Sequence, residues 1–455
     1  MPQNWYVKDL LEQNLYMKNY RKILVILATI SVLLSNAALA QKDGDVLKTY
    51  SSYTLYGIGD MYRMGGIANK AMGGVNYGAR DPFGINSYNP AALSVQDSLV
   101  VMLDFAAGSK NTYSKSLKST TSANTFYFDY VDFSLRIARN LTVNVGMSPI
   151  SDIGYDIARK ETDPKQLHQY GDIQYSYAGE GGINQVHWGA GYKLFSKFSV
   201  GVNMNYYFGS INRYSVTEFL APPVTSSDFA NIYSESKTKI SKIGFTFGAQ
   251  FHSRLNSKTF LTVGAIYQPK TILPTRKETL TIATNDISSD TAKYVVTKIN
   301  NVFMPTTIGL GFTLRKGDKL VIGADYTYQD WSQFNLDGAS HSVTFESGKS
   351  HIYNLGFEYT PKINNIKNNY LRWNYRAGLR YAQTFMTCNG YNITEQSVFL
   401  GVGIPVARRS GSKINAALEV GQRGTTQHGL IKETFVTFSL GINIFDLWFQ
   451  KFQFN

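Results

Sequence analysis

Residues 198–209 read Phe198-Ser199-Val200-Gly201-Val202-Asn203-Met204-Asn205-Tyr206-Tyr207-Phe208-Gly209. Successive side chains of a strand point to opposite faces. Phe198, Val200, Val202, Met204, Tyr206 and Phe208 therefore share one face, and Ser199, Gly201, Asn203, Asn205 and Gly209 share the other. One face is apolar, the other polar or small. In a soluble sandwich such a strand separates core from solvent. Repeated along a chain that opens with an export signal, it separates lipid from a polar lumen.

The pattern does repeat. Strands are expected over 98–107, 124–138, 141–150, 183–195, 198–209, 241–254, 258–269, 304–316, 319–332, 350–361, 370–386, 391–407, 413–424 and 432–443, fourteen in all. In one of them Ile243, Phe245, Phe247, Ala249 and Phe251 oppose Gly244, Thr246, Gly248, Gln250 and His252. The connections alternate between short (139–140, 196–197, 255–257, 317–318, 408–412) and long (108–123, 151–182, 210–240, 270–303, 333–349). Outer-membrane barrels have short periplasmic turns and long extracellular loops. This parity assigns the strand-like run Tyr170 to Ala178 to the second long loop, since a fifteenth crossing would invert every later turn. An even count also brings both barrel ends to the periplasmic side. The fold expected is all-β: a transmembrane antiparallel barrel of about fourteen strands.

Composition agrees. The 455 residues are 43% hydrophobic and 14% aromatic, with a mean hydropathy of −0.20. A helical membrane protein needs several apolar runs of about 20 residues, and the one apolar run of note lies near the start. There Lys18, Arg21 and Lys22 precede Ile23 to Leu34, followed by Ala38-Leu39-Ala40. This is the layout of a signal peptide, with cleavage expected after Ala40. The net charge of +13 is spread over loops and lumen-facing positions, so nucleic acid is not an expected partner. The single cysteine, Cys388, allows no internal disulfide. Six histidines (168, 187, 252, 341, 351, 428) lie scattered. They form no metal-ligand spacing and select no nucleophile–base pair, so no cofactor, metal or enzymatic activity is expected.

Residues 41–97 lack long alternation. Gly57, Gly59, Gly65, Gly66, Gly73, Gly74, Gly78 and Gly84 punctuate them, with Asp81-Pro82 and Asn89-Pro90-Ala91-Ala92-Leu93 at the end. Tight turns and close backbone approach follow from such residues. Leu55, Ile58, Met61, Met64, Ile67 and Val75 supply enough apolar surface for a compact segment rather than a disordered tail. The organisation expected is a signal peptide (1–40), a lumen hatch (41–97) and a barrel (98–455).

Alternation directs charges inward: Arg372, Arg376 and Arg380 on one strand, Glu419 and Arg423 on another, together with His187, Lys193, His252, Asp325 and Glu358. Two readings stand open. A cation such as Arg376 binds the carboxylate of an acidic ligand, with Arg380, His252, Asn203 and Asn205 along its path. Alternatively, these charges pair with one another and with the hatch to fix it. The last residues, Phe445 to Asn455, are aromatic-rich, which suits recognition by barrel-assembly machinery. Trp448 and Phe449 within them suit an interfacial girdle.

Several short motifs, in order, resemble the long-chain fatty-acid transporter (FadL/TodX-type) outer-membrane proteins, especially their Bacteroidetes branch. They are Gly65-Gly66, Ala71-Met72-Gly73-Gly74, Asp81-Pro82 and Asn89-Pro90-Ala91-Ala92-Leu93, then Gly179-Glu180-Gly181-Gly182-Ile183, Tyr206-Tyr207-Phe208-Gly209, Asp325-Tyr326 with Trp331, Tyr375-Arg376-Ala377-Gly378, Gly401 to Pro405 and Trp448-Phe449-Gln450-Lys451. The resemblance implies a fourteen-stranded barrel closed by an N-terminal hatch. It also implies hydrophobic molecules captured by the outer loops and released sideways through the wall. The expected function is passive outer-membrane transport of hydrophobic small molecules, with lipid and the ligand as partners. The alternative is a non-transporting barrel that serves as partner subunit of an outer-membrane secretion or assembly complex.

Overall fold

The computed structural model describes residues 49–97, 100–117, 119–221, 229–284, 289–299, 302–334, 344–363, 365, 368–406 and 411–447. The expected signal peptide and the stretch from Trp448 to Asn455 lie outside them. Fourteen strands form the wall: β1 (Val100–Lys115), β2 (Thr120–Ala138), β3 (Leu141–Lys160), β4 (Asp172–Lys193), β5 (Phe198–Ala221), β6 (Asn231–Arg254), β7 (Thr259–Gln268), β8 (Thr306–Lys316), β9 (Leu320–Asp330), β10 (Lys349–Tyr359), β11 (Asn374–Cys388), β12 (Tyr391–Pro405), β13 (Lys413–Arg423) and β14 (Lys432–Leu447). Sequential neighbours pair antiparallel, and β14 pairs with β1 along its whole length, which closes the barrel. Closure joins the two ends of the sheet, so neither the first strand nor the last is left as a terminal edge.

The alternation holds at depth. On β5, Ser199, Asn203 and Asn205 are buried while Val202 is exposed; on β6, Phe245, Phe247 and Phe251 are exposed and Gln250 is buried. Four expected long loops, however, are mostly strand. β1 runs to Lys115 and β2 restarts at Thr120. The 151–182 and 210–240 segments are largely the outer ends of β3, β4, β5 and β6, so Tyr170 to Ala178 is chiefly the start of β4 and no separate crossing. Within 270–303 a hairpin forms, Thr275–Thr284 with Ser289–Ile299, and its first arm pairs with the outer end of β6. Along 174–177, 214–219 and 233–237 both faces are only partly buried, so burial stops alternating while the backbone ladder continues. The described residues 291–298 of the hairpin are exposed on both faces.

Two irregularities shape the lumen. At Asp129, β2 carries one residue without a partner on β1, between Phe128 and Tyr130. The bulge shifts the phase, so Asp129 and Tyr130 both turn inward. The second lies in β3. Its pairing with β2 runs only from Leu141 to Met147. Beyond that, the run 149–155 is buried without alternation, and Ser151 and Asp152 pair with Met61 and Asp60 of the N-terminal segment instead. Tyr62 N–H also donates to Ile150 O at 2.9 Å. The outer half of β3 stays paired with β4 but parts from β2 and turns to the plug.

Residues 49–97 fill the lumen. The wall meets them through glycines aligned across strands: Gly323, Gly356 and Gly378 are in register on β9, β10 and β11. A Cβ at Gly378 would lie 2.6 Å from Gly73 Cα, one at Gly356 2.7 Å from Met72 Cβ, and one at Gly323 2.7 Å from Val75 Cγ1. On the outward side of β7–β14 lies a depression of about 1120 Å³ lined by Leu310, Phe312, Tyr353, Leu355 and Leu379.

Gly378→Val forces a branched side chain into the plug backbone. Overpacking of this kind costs about 1–3 kcal/mol. The heat-induced mobility shift of the folded barrel in gels is expected at a lower temperature for Gly378→Val. It should be unchanged for Gly348→Ala, whose Cβ would have its nearest neighbour 3.9 Å away.

Candidate functional site: the plugged lumen

The lumen is built around charges shared between plug and wall. The short helix α1 (Ile67–Lys70) presents Lys70 to the bulge residue, with Nζ 2.5 Å from Asp129 Oδ1 and 2.6 Å from Oδ2. The next wall residue completes the clamp: Tyr130 OH accepts from Ile67 N–H at 3.1 Å and donates to Asp104 Oδ1 at 3.1 Å. Arg63 reaches Glu395 at 2.7 Å on β12 and Glu419 at 2.8 Å on β13. Arg423 contacts Asp60 at 2.6 Å, Glu433 at 2.6 Å and Ser51 Oγ at 2.8 Å, while Lys110 reaches Asp60 at 2.7 Å. Burial opposes charge on Asp60, but Arg423 and Lys110 outweigh it and hold its carboxyl well below the usual carboxylate range. Asp325 Oδ2 on β9 accepts from the N–H groups of Asn76 and Tyr77 at 2.6 and 2.9 Å.

The plug glycines and Asx-Pro pairs set its turns. Gly65 has φ +103° and packs on Asn76, Gly66 is the N-cap of α1, and Gly73 and Gly74 have φ +72° and +91°. Asp81 Oδ1 accepts from Phe83 N–H across Pro82 at 3.1 Å. Asn89 caps a 3₁₀ turn that starts at Pro90, with Oδ1 accepting from Ala91 N–H, and its Nδ2 donates to Tyr77 O at 2.8 Å.

The lumen residues singled out from sequence are distributed unevenly. Glu419, Arg423 and Asn203 touch the plug, the last by donating to Ser87 O at 2.6 Å. Arg376 stays on the wall, its Nε 2.6 Å from Glu358 and its Nη1 donating to Asn415 Oδ1 at 2.9 Å. Arg380 lies 3.7 Å from Glu395, and Asn205 donates to Thr246 Oγ1 at 3.0 Å. His252 is half-buried near the β6–β7 turn. Arg372 falls in a 3₁₀ turn before β11 rather than on the strand. His187 Nε2 sits 2.8 Å from Asp132.

The sequence reading passed over Lys70, Asp129, Arg63, Glu395, Glu433 and Asp60, which carry most of the clamp. Asp129 had a signal: Phe126 and Phe128 face out on even numbers, Val131, Phe133 and Leu135 on odd ones, and the slip between them marks the bulge. The plug's Asp60, Arg63 and Lys70 had none, because their partners lie 50 to 363 residues away.

The outer mouth is closed by an apolar core. Tyr53, Leu55, Tyr56 and Ile58 of the plug pack with Ile150, Ile153, Leu273, Phe303, Trp331, Phe334 and Phe385. Trp331 stacks on Phe385 with ring centroids 4.6 Å apart. Beneath it lie cavities of about 60, 70 and 130 Å³. Arg63 and Lys70 line all three; Asp60 joins them in the second and third, Asp129 in the first and Arg423 in the third.

A closed barrel of fourteen strands with this lumen segment has the fold of the FadL/TodX-type outer-membrane barrels. Similar solved structures include the Ralstonia pickettii toluene transporter TbuX (18% identity, 84% of this chain and 98% of that one, TM-score 0.56) and the P. putida toluene transporter TodX (14%, 87% and 100%, 0.56). A Pseudomonas aeruginosa FadL homologue is similar too (13%, 86% and 100%, 0.53). No curated protein matches the chain. The BamG family model matches residues 20–455, and the chain belongs to the BamG family.

Removing one partner of a buried pair costs about 3–5 kcal/mol, because the other charge is left unpaired. Lys70→Ala and Asp129→Ala are each expected to lower the unfolding temperature markedly. The apolar double variant Lys70→Met/Asp129→Leu should recover most of the loss in a double-mutant cycle. The contribution of Asp60 is complete above its unfolded value of about 3.9 and is lost as pH falls below that toward its depressed folded value. Limited proteolysis should therefore cut within 49–97 at pH 3 before it cuts the wall, and spare both at pH 7.

Proposed function

We propose that the protein is a sealed outer-membrane barrel that acts as a partner subunit of an outer-membrane assembly or secretion complex, exported with cleavage of its signal peptide after Ala40. The observation that carries this reading is the filled lumen. The apolar core of the mouth, with Trp331 at its centre, packs the plug against the wall, and the cavities beneath it hold about 60, 70 and 130 Å³, each with Arg63 and Lys70 in its lining. A toluene-sized ligand needs an enclosed apolar site, whereas each of these cavities carries Arg63 and Lys70 among its apolar lining residues. The outer ends of β3 to β6 and the 275–299 hairpin extend well past the mouth and offer a broad surface to a partner. The family name, BamG, accords with a link to barrel assembly.

One observation favours a second reading, passive uptake of a hydrophobic molecule. The wall is broken between β2 and β3 beside the plug, on a fold shared with hydrocarbon transporters. In this reading Arg376, already paired with Glu358, exchanges that partner for the carboxylate of an acidic ligand, and Arg380, His252, Asn203 and Asn205 line the path.

Uptake of a fluorescent fatty acid and of toluene into proteoliposomes separates the two. The partner-subunit reading expects no uptake above empty liposomes, together with recovery of a stoichiometric outer-membrane protein from mildly solubilised membranes. Saturable uptake of both, with fatty-acid uptake lost and toluene uptake kept in Arg376→Ala, would establish transport instead.

A further inference from the structure

The break in the wall leaves one strand edge open. From Thr120 to Tyr130, β2 pairs with β1 on one side. On the other side its pairing with β3 covers only Val131 to Ala138. Among the described residues no segment pairs with the free edge above Val131. β3 cannot swing back to it: its run 149–155 is held inside by pairing with Asp60 and Met61 and by the Tyr62–Ile150 and Ser51–Gly154 backbone bonds. The plug offers this edge a side chain, not a ladder, since Tyr62 meets Tyr127 ring to edge at 5.3 Å.

Part of the edge lies at lipid depth. Phe126 and Phe128 face outward, 44% and 46% exposed, immediately above the apolar positions Val131, Phe133 and Leu135 of the same strand. Above Phe126 the sequence turns polar, Thr120-Thr121-Ser122-Ala123-Asn124-Thr125. An unpaired backbone group in hydrocarbon costs several kcal/mol, and lipid tails provide nothing to pair with it. Natural sheet edges are guarded by lysine, proline or a covering element. The stretch from Thr120 to Tyr130 contains neither lysine nor proline, and it is rich in threonine and aromatic residues, which favour strands.

We propose that this edge of β2 accepts an extended strand of a partner outer-membrane protein, which completes the wall by strand addition. The occupant is a polypeptide strand because only a backbone supplies a ladder of alternating donors and acceptors at this depth. The proposal rests on the partner-subunit reading and gives that partner a place and a binding mode. The strand docks from the lipid side, between Phe126 and Phe128 and the outer half of β3, and leaves the plug in position.

The test uses the full-length protein isolated with its partners from outer membranes in mild detergent. Amide hydrogen exchange over 120–130 is compared with that of the same protein freed of partners and returned to lipid nanodiscs. Strand addition expects roughly tenfold slower exchange or more in the complex at alternate amides of 120–130, with residues 131–138 unchanged. Equal exchange in both samples, with the partner still bound, overturns the proposal and leaves the partner-subunit reading standing. Failure to recover any stoichiometric partner overturns both. Proline scanning adds a second readout. Successive N–H groups point to opposite edges, so of Thr125→Pro and Phe126→Pro one breaks the β1 ladder and the other meets only the free edge. The variant that keeps its unfolding temperature within about 2 °C is expected to lose partner recovery by roughly tenfold. Full recovery with that variant also overturns the proposal.

Discussion

A chain that crosses a bilayer as strands has to satisfy its backbone hydrogen bonds within itself. Most features of this protein follow from how that requirement is met and where it is relaxed. β14 meets β1, so the wall closes, and the wall can then hold polar and charged side chains on its inner face. Among the described residues it is relaxed between β2 and β3. Above Met147, β3 gives up its ladder with β2 and pairs with the strand at Asp60 and Met61. The plug is thus joined to the wall by main chain as well as by side chains, and the same event opens the edge of β2.

The plug in turn depends on charges taken out of water together. Asp60, Arg63 and Lys70 each face buried partners on distant strands, and each ion would be expensive alone. Paired, they fix the register of an irregular segment that has little regular structure of its own. Glycines on the wall do complementary work, since Gly356 and Gly378 let the Met72–Gly73 backbone lie directly against β10 and β11. Charge sets the position and the missing side chains set the distance.

Much of the wall was legible in the sequence because period-two alternation reports lipid against lumen directly. Runs such as Phe245-Thr246-Phe247-Gly248 can be read one residue at a time. The outer ends of β3 to β6 were not legible, because 149–155 are buried on both faces and 174–177, 214–219 and 233–237 partly buried on both, so nothing alternates. In the lumen, Arg376, Glu419 and Arg423 could be placed on the inner face, since facing depends only on local phase. Their partners could not be. The Arg63–Glu419 contact joins residues 356 apart, and no local pattern encodes it. Asp129 stands between these cases: its bulge left a visible slip in the alternation, but its pairing with Lys70 required the fold.

The central claim is that the plug and the mouth core seal the lumen. Single-channel recording in planar bilayers tests it most directly, comparing the intact protein with a variant lacking residues 49–97. The account predicts no steady conductance from the intact protein and a stable, large conductance once the plug is gone. Steady conductance through the intact protein, equal to that of the plug-less variant, would contradict it.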